Sequence, residues 1–195
     1  MSCECHSTAN TSVERKILLI ALALNASMFI VGMIAGVLAH STSLIADSLD
    51  MLSDAAVYTI GLSAINRSLM FKVRAATLSS GLLLILGIGV LFEVTRRAWL
   101  GGLPESNTII IVACISLIVN AYVLRLLSRF RKAEAHLRAT WIFTRADVIV
   151  NLGVILSGVL VALTKSRYPD LIVGFIVGLY VIKEALEIFK DAKKS

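Results

Sequence analysis

Three aspartates lie close together in an otherwise apolar part of the chain. Asp47, Asp50 and Asp54 are separated by three and then four residues, a spacing that puts them on one face of an α-helix. A charged residue at the centre of a membrane helix costs about 2.5–3.5 kcal/mol on insertion scales, and such residues are usually functional. If this segment crosses a membrane, the acidic stripe must face other helices or water rather than lipid.

A second polar pair, Asp147 and Asn151, lies four residues apart in another apolar segment. A rise of 1.5 Å per residue puts Asp50, Asp54 and Asp147 at depths of about 10–16 Å from the segment ends. These depths fall in one central layer of a hydrocarbon core about 30 Å thick. We therefore expect the three carboxylates and the Asn151 amide to converge.

Converging carboxylates repel each other, and a divalent cation bound between them removes that repulsion. Oxygen-rich sites suit Mg²⁺, Mn²⁺ and Ca²⁺, and they also accept Zn²⁺ and Fe²⁺. The candidate metal ligands are Asp50, Asp54, Asp147 and Asn151, with Asp47 as a weaker one. The same carboxylates can take up protons when the metal leaves. The alternative interpretation is that they hydrogen-bond neighbouring polar side chains for packing, and it applies most strongly to Asp47.

Residues 1–12 are small, polar and without helical periodicity, which predicts a flexible cytosolic tail ahead of a membrane domain at 13–195. Cys3, Cys5 and His6 in this tail offer soft thiolate and imidazole ligands that suit Zn²⁺ or Cu(I). They either capture metal near the entrance or belong to an unstructured tail.

Arg145, two residues before Asp147, points to another side of its helix. It either reaches towards the cytosol or balances the acidic site.

The elements that must position these residues are membrane helices. The chain has 195 residues, of which 57% are hydrophobic and 16% charged, and its mean hydropathy is +0.86. Soluble domains average about 45–50% apolar and 25% charged residues. Six segments approach the roughly 20 apolar residues that a spanning helix needs. The sequence thus predicts an all-α polytopic membrane protein, a bundle of six transmembrane helices. The segments are 17–39, 43–66, 75–96, 107–127, 139–163 and 171–189.

The basic residues are distributed asymmetrically between the two sides of this bundle. With a cytosolic N-terminus, 14 of the 19 Lys and Arg residues fall on the inner side, four fall on the outer side, and Arg145 lies within a segment. This is the positive-inside pattern. It explains the net charge of +6 without a nucleic-acid partner. We expect both termini to be cytosolic and the protein to reside in the inner or plasma membrane.

The segment 25–54, with the core Ser43-Leu-Ile-Ala-Asp-Ser-Leu-Asp-Met-Leu-Ser-Asp54, resembles the first two spans of the cation diffusion facilitator family. That family carries His-xxx-Asp or Asp-xxx-Asp in span two, which Asp50 and Asp54 match. It carries His-xxx-Asp in span five, where Asp147 matches the second residue. The resemblance implies proton-coupled efflux of Zn or related divalent ions (Co, Cd, Fe, Mn), usually by a homodimer.

Two departures from the family pattern stand out. The histidine of span five falls on Phe143, which cannot bind a metal, so the fourth ligand and the metal preference stay open. The family's cytosolic C-terminal domain has no counterpart in this sequence, and we expect a short form. A non-transporting subunit that pairs with a full-length relative is therefore an alternative. A metal-dependent membrane enzyme is a weaker one, because the sequence offers no additional general base or nucleophile. We expect a non-enzyme without a cofactor, whose partners are lipid, protons and the transported metal.

Overall fold

The computed structural model describes the backbone of residues 4–63, 69–128 and 135–194. Side chains are described over the same ranges except at 4–12, 14, 61, 63, 69, 71–72, 75–76, 135–143 and 191–194. Within these ranges the chain forms six α-helices, as the sequence predicts. The helices are α1 (Glu4–Leu38), α2 (Thr42–Ser63), α3 (Leu69–Leu100), α4 (Ser106–Leu127), α5 (Ala135–Thr164) and α6 (Tyr168–Lys194).

The first helix begins earlier than the sequence pattern indicates. We expected an irregular tail up to residue 12, but α1 is helical from Glu4. The physical reason is that the first glycine in the chain is Gly32 and the first proline is Pro104. Without a residue of either type to interrupt it, a helix nucleated in the apolar segment can propagate towards the N-terminus.

The outer surface of the bundle is apolar. Large hydrophobic side chains are exposed along α1, α3, α4, α5 and α6, including Ile34, Ile85, Ile118, Leu156 and Ile176. Such a surface is stable in lipid and would be an aggregation hazard in water. Four helical segments among the described residues are long and apolar enough to cross a membrane: Arg15–Leu38, Thr77–Leu100, Ser106–Leu127 and Thr144–Thr164. The protein is an all-α integral membrane protein.

The helix that carries the acidic stripe lies at the centre of the bundle. α2 packs against each of the other five helices, and it contributes to all three clusters of the core, through Leu44, Leu49 and Tyr58 among others. Among the described side chains, α2 exposes no large hydrophobic residue. The central position follows from the sequence, because three carboxylates on one face cannot be placed against lipid.

Close helix packing depends on glycines. A Cβ atom added at Gly36 would lie 2.9 Å from the backbone nitrogen of Ile45, so α1 and α2 approach each other through a position where only glycine fits. At Gly174 an added Cβ would lie 2.7 Å from Thr42 Oγ1, which brings α6 against the start of α2. Small residues serve membrane helices in this way. Gly36 and Gly174 therefore serve helix packing within the bundle, against residues of α2.

One end of α2 is fixed by a carboxylate from α6. Asp170 accepts hydrogen bonds from Ser41 Oγ (2.5 Å), Ser43 Oγ (2.6 Å), and both the backbone nitrogen (2.7 Å) and Oγ1 (2.8 Å) of Thr42. The first backbone N–H groups of a helix lack partners within the helix, and a negative charge near them is favourable. Because Asp170 supplies both the acceptors and the charge, it fixes the start of α2 against the start of α6.

Candidate metal centre

Three buried carboxylates from three different helices meet near the middle of the bundle. Asp50 of α2, Asp147 of α5 and Glu184 of α6 each offer an oxygen atom, and these atoms all lie within 4.8 Å of one another. The three residues are 4%, 2% and 7% exposed. The sequence predicts the convergence of Asp50 with Asp147, and the structure places them together.

Three oxygen atoms of this group, on Asp50 and Asp147, lack the hydrogen bonds that buried carboxylates normally make. Both carboxylate oxygens of Asp147 and Oδ1 of Asp50 are buried without a hydrogen-bond partner. The ion pairs among the described residues join Glu93 to Arg96 and Arg97, and Lys183 to Glu187, so none of them involves the three converging carboxylates. A buried charge without partners is costly. The arrangement is therefore suited to bind a positive ion.

Asp54 lies one turn further along α2 and is 7% exposed. It interacts electrostatically with Asp147, so it borders the group. The Tyr58 hydroxyl is 3.5 Å from Asp54 Oδ2 and 3.0 Å from Thr144 Oγ1. This contact joins α2 to α5 one turn beyond the carboxylates and forms a hydrogen-bonded layer on that side of them.

Asp47 and Asn151 form a separate layer on the opposite side. Asn151 Nδ2 donates to Asp47 Oδ1 over 2.6 Å, and Asn151 Oδ1 accepts from Asn120 Nδ2 over 3.0 Å. All three side chains are at most 3% exposed. Both ends of the Asn151 amide are thus used in a network that joins α2, α4 and α5, and the structure gives this candidate ligand a partner other than Asp147.

Glu184 is the residue that reasoning from the sequence missed. It lies within the segment 171–189 and is an ionisable residue inside a candidate span, which is the signal that identified the aspartates. Glu184 was not singled out because its sequence neighbours Lys183 and Glu187 suggest the charged end of a helix. The structure separates the two acidic residues: the side chain of Glu187 is 42% exposed and pairs with Lys183 at 3.6 Å, whereas Glu184 faces the centre of the bundle.

The side chains of most of the remaining candidates lie outside the part of the chain that the structure describes. Cys3 lies outside the described backbone, and the side chains of Cys5, His6 and Phe143 lie outside the described side chains. Arg145 is exposed and therefore does not balance the acidic residues.

The chain can be compared with known proteins over most of its length. The sequence model of the cation efflux transmembrane domain matches residues 18–195. The metal cation efflux system protein CzcD of Cupriavidus metallidurans is 26% identical over 199 residues, which cover 96% of this chain and 63% of that protein. The cadmium, cobalt and zinc/H(+)-K(+) antiporter of Bacillus subtilis is 22% identical over 197 residues, covering 94% of this chain and 63% of that protein.

The zinc transporter ZitB of Escherichia coli is 24% identical over 188 residues, covering 90% of this chain and 60% of that protein. The chain thus spans slightly less than two thirds of the length of these relatives. Because the family model covers nearly the whole chain, from residue 18 to residue 195, the protein belongs to the cation efflux family.

Proposed function

We propose that this chain exports divalent metal cations across a membrane, binding each ion between Asp50, Asp54 and Asp147. The observation that carries the proposal is the pair of unpartnered oxygens on Asp147, buried beside Asp50. A divalent cation would supply the missing partner and remove the repulsion between the carboxylates. Ionisable residues inside a membrane bundle commonly mark an ion pathway, and membership of the cation efflux family agrees with this role.

Exchange of the metal for protons is the second part of the proposal. When the ion leaves, the carboxylates again face one another in a buried site, and protons are the simplest species that can neutralise them. The Bacillus subtilis relative is named as a cadmium, cobalt and zinc/H(+)-K(+) antiporter, and we propose that protons are the exchanged ion here. We place Zn²⁺, Co²⁺ and Cd²⁺ first among the substrates, with Fe²⁺ and Mn²⁺ as further candidates.

The two polar layers beside the site provide candidate gates. The contact between Tyr58 and Thr144 lies one turn beyond the carboxylates on one side, and the network of Asp47, Asn151 and Asn120 lies on the other. We propose that these layers open alternately, so that the ion meets water on one side at a time. The chain carries out no chemical reaction on its substrate in this account.

Orientation follows from charge. With 14 basic residues on one side of the bundle and four on the other, the positive-inside rule places both termini in the cytosol. Reporter fusions at the two ends should both give a cytosolic signal. An extracytosolic signal at one end only would contradict the six-span bundle, and such a signal at both ends would reverse the proposed orientation.

Reconstitution of the purified protein alone tests the function. Liposomes containing it should take up Cd²⁺ or Zn²⁺ when a proton gradient is imposed, and uptake should collapse when the gradient is dissipated. The chain covers 63% of the length of the CzcD and Bacillus subtilis relatives. We propose a homodimer as the simplest assembly. If the chain is inactive alone but active when mixed with a full-length relative, it is a subunit of a larger transporter. Binding without transport in both preparations would contradict the proposal.

A further inference from the structure

Glu184 occupies a position that the function proposed above does not require. That proposal uses aspartates from α2 and α5, whereas Glu184 enters the same group from α6. The Glu184 carboxylate lies on the buried face of α6, beside Val181 and Ala185, which are 0% and 1% exposed. An ionised side chain is very rarely buried among apolar neighbours unless it has a partner. Glu184 has hydrogen-bonding neighbours in the centre of the bundle, so what its ionised form lacks there is a positive charge.

The spacing of the oxygens fits a single ion. Carboxylate oxygens lie about 2.0–2.2 Å from Zn²⁺, about 2.0–2.1 Å from Mg²⁺ and about 2.3–2.6 Å from Ca²⁺. Two oxygens on opposite sides of one such ion are thus about 4–5 Å apart. The oxygens of Asp50, Asp147 and Glu184 lie within 4.8 Å of one another, so a small movement of each towards a common centre would let one ion contact all three.

Hydrogen bonds hold the Glu184 carboxylate in place, but they do not neutralise its charge. The neighbouring cation, Lys183, pairs with Glu187 at 3.6 Å on the exposed side of the helix. Within the described part of the chain, no ion pair includes Glu184. Its hydrogen-bonding neighbours are Ser53, Tyr180 and Asp50, none of which is a cation, and the oxygens of Asp50 and Asp147 lie within 4.8 Å. A residue kept only for packing would not be placed against two like charges.

We propose that Glu184 is a ligand of the transported cation and sets the metal preference of the site, completing an all-oxygen site that favours hard divalent cations such as Mn²⁺ more than a histidine-containing site would. This inference rests on the proposed function, because it assigns a further ligand to the same ion.

The reason for the preference is chemical. Imidazole suits Zn²⁺, whereas carboxylate, carbonyl and water suit Mn²⁺, Mg²⁺ and Ca²⁺. The position that would supply an imidazole one turn before Asp147 is Phe143. Zn²⁺ is satisfied by four ligands in tetrahedral geometry, while harder ions prefer six oxygens. Loss of one carboxylate should therefore weaken Mn²⁺ binding more than Zn²⁺ binding.

Equilibrium binding to the purified full chain tests the proposal. Mn²⁺ and Zn²⁺ are titrated against a chromophoric chelator for the wild type, Glu184→Gln, Glu184→His and the control Glu187→Gln, with folding checked by size-exclusion chromatography. Glu184→Gln should lose at least tenfold in Mn²⁺ affinity and clearly less in Zn²⁺ affinity. Glu184→His should restore Zn²⁺ but not Mn²⁺ binding, a change that a merely structural residue would not produce. Glu187→Gln should stay within about twofold of the wild type, because its side chain is exposed.

The outcomes separate this inference from the proposed function. If Glu184→Gln binds both metals as Glu187→Gln does while Asp147→Asn binds neither, Glu184 is not a ligand and the proposed site stands. If all Glu184 variants lose both metals in equal proportion, Glu184 does not set the preference. If Asp147→Asn binds both metals like the wild type, the proposed site itself is wrong. Should Glu184→Gln fail to fold, a folded Glu184→His with an unchanged Mn²⁺ to Zn²⁺ ratio would equally overturn the inference.

Discussion

Asn151 donates a hydrogen bond to Asp47 over 2.6 Å, although it follows Asp147 by one helical turn and shares its face. The amide thus belongs to the layer beside the carboxylate site. Asn151→Ala should cost about 1–3 kcal/mol of stability, because it leaves buried polar groups on Asp47 and Asn120 without a partner. Metal affinity should change by only a few fold.

The measurement is thermal unfolding in detergent together with metal titration, with Asp147→Asn as the comparison. Asp147→Asn should lose most of its metal affinity while keeping its fold. If Asn151→Ala and Asp147→Asn lose affinity to the same extent, Asn151 is a ligand, as its spacing in the sequence suggested.

The antiparallel arrangement of α2 and α5 explains why the sequence left this point open. Asp47 lies one turn before Asp50 along α2, and Asn151 lies one turn after Asp147 along α5. In antiparallel helices these two offsets have the same direction, so Asp47 faces Asn151 when Asp50 faces Asp147. The depths derived from the sequence span about 10–16 Å, a range of about one helical turn, or 5.4 Å. They could predict a shared layer but not the pairing within it.

Other features of the structure differ in how far the sequence could predict them. The six helices and the central position of α2 follow from hydropathy and from three aspartates on one face. Glu184 was not predicted, because a carboxylate beside charged neighbours in the sequence is typical of the charged end of a helix. The cap that Asp170 places on α2 joins residues 128 positions apart, and no local pattern predicts a contact of that separation.

Asp170 should be essential for stability rather than for metal binding. Asp170→Ala removes the acceptor for Ser41, Thr42 and Ser43, and hydrogen bonds to charged groups contribute about 1.5–3 kcal/mol each. We expect a large drop in the unfolding temperature in detergent. Glu105→Gln is the control, since Glu105 is an exposed acidic residue at the start of α4 and should have little effect. Equal unfolding temperatures for the two variants would show that the contact made by Asp170 is not stabilising.

The approach of α1 to α2 should tolerate no side chain at Gly36. An added Cβ would lie 2.9 Å from the Ile45 backbone nitrogen, whereas at Gly89 it would meet nothing within 4 Å. Gly36→Ala should therefore destabilise the protein, while Gly89→Ala should be neutral or stabilising by up to about 1 kcal/mol because alanine is the better helix former. Unfolding of the two variants in the same detergent gives the comparison. If Gly36→Ala is as stable as Gly89→Ala, the two helices are not packed as closely as the structure indicates.

A histidine at position 143 should change the metal preference. Phe143 precedes Asp147 by four residues in α5, so the two positions share a helical face, and imidazole favours Zn²⁺. Phe143→His should raise Zn²⁺ affinity relative to Mn²⁺, measured by competition in liposomes. An unchanged or lower preference for Zn²⁺ would mean that position 143 does not face the site.

Binding and exchange at the buried carboxylates are tested by recording metal movement and proton movement in the same liposomes. Purified wild type and Asp147→Asn are reconstituted with a metal-sensitive dye and a pH-sensitive dye, and Glu187→Gln serves as the control for a lost carboxylate outside the site. We expect Cd²⁺ or Zn²⁺ uptake to be coupled to opposite proton flux in the wild type and in Glu187→Gln. Asp147→Asn, correctly folded and inserted, should show neither flux. Coupled fluxes of wild-type size in Asp147→Asn would contradict the claim that the buried carboxylates bind the transported ion.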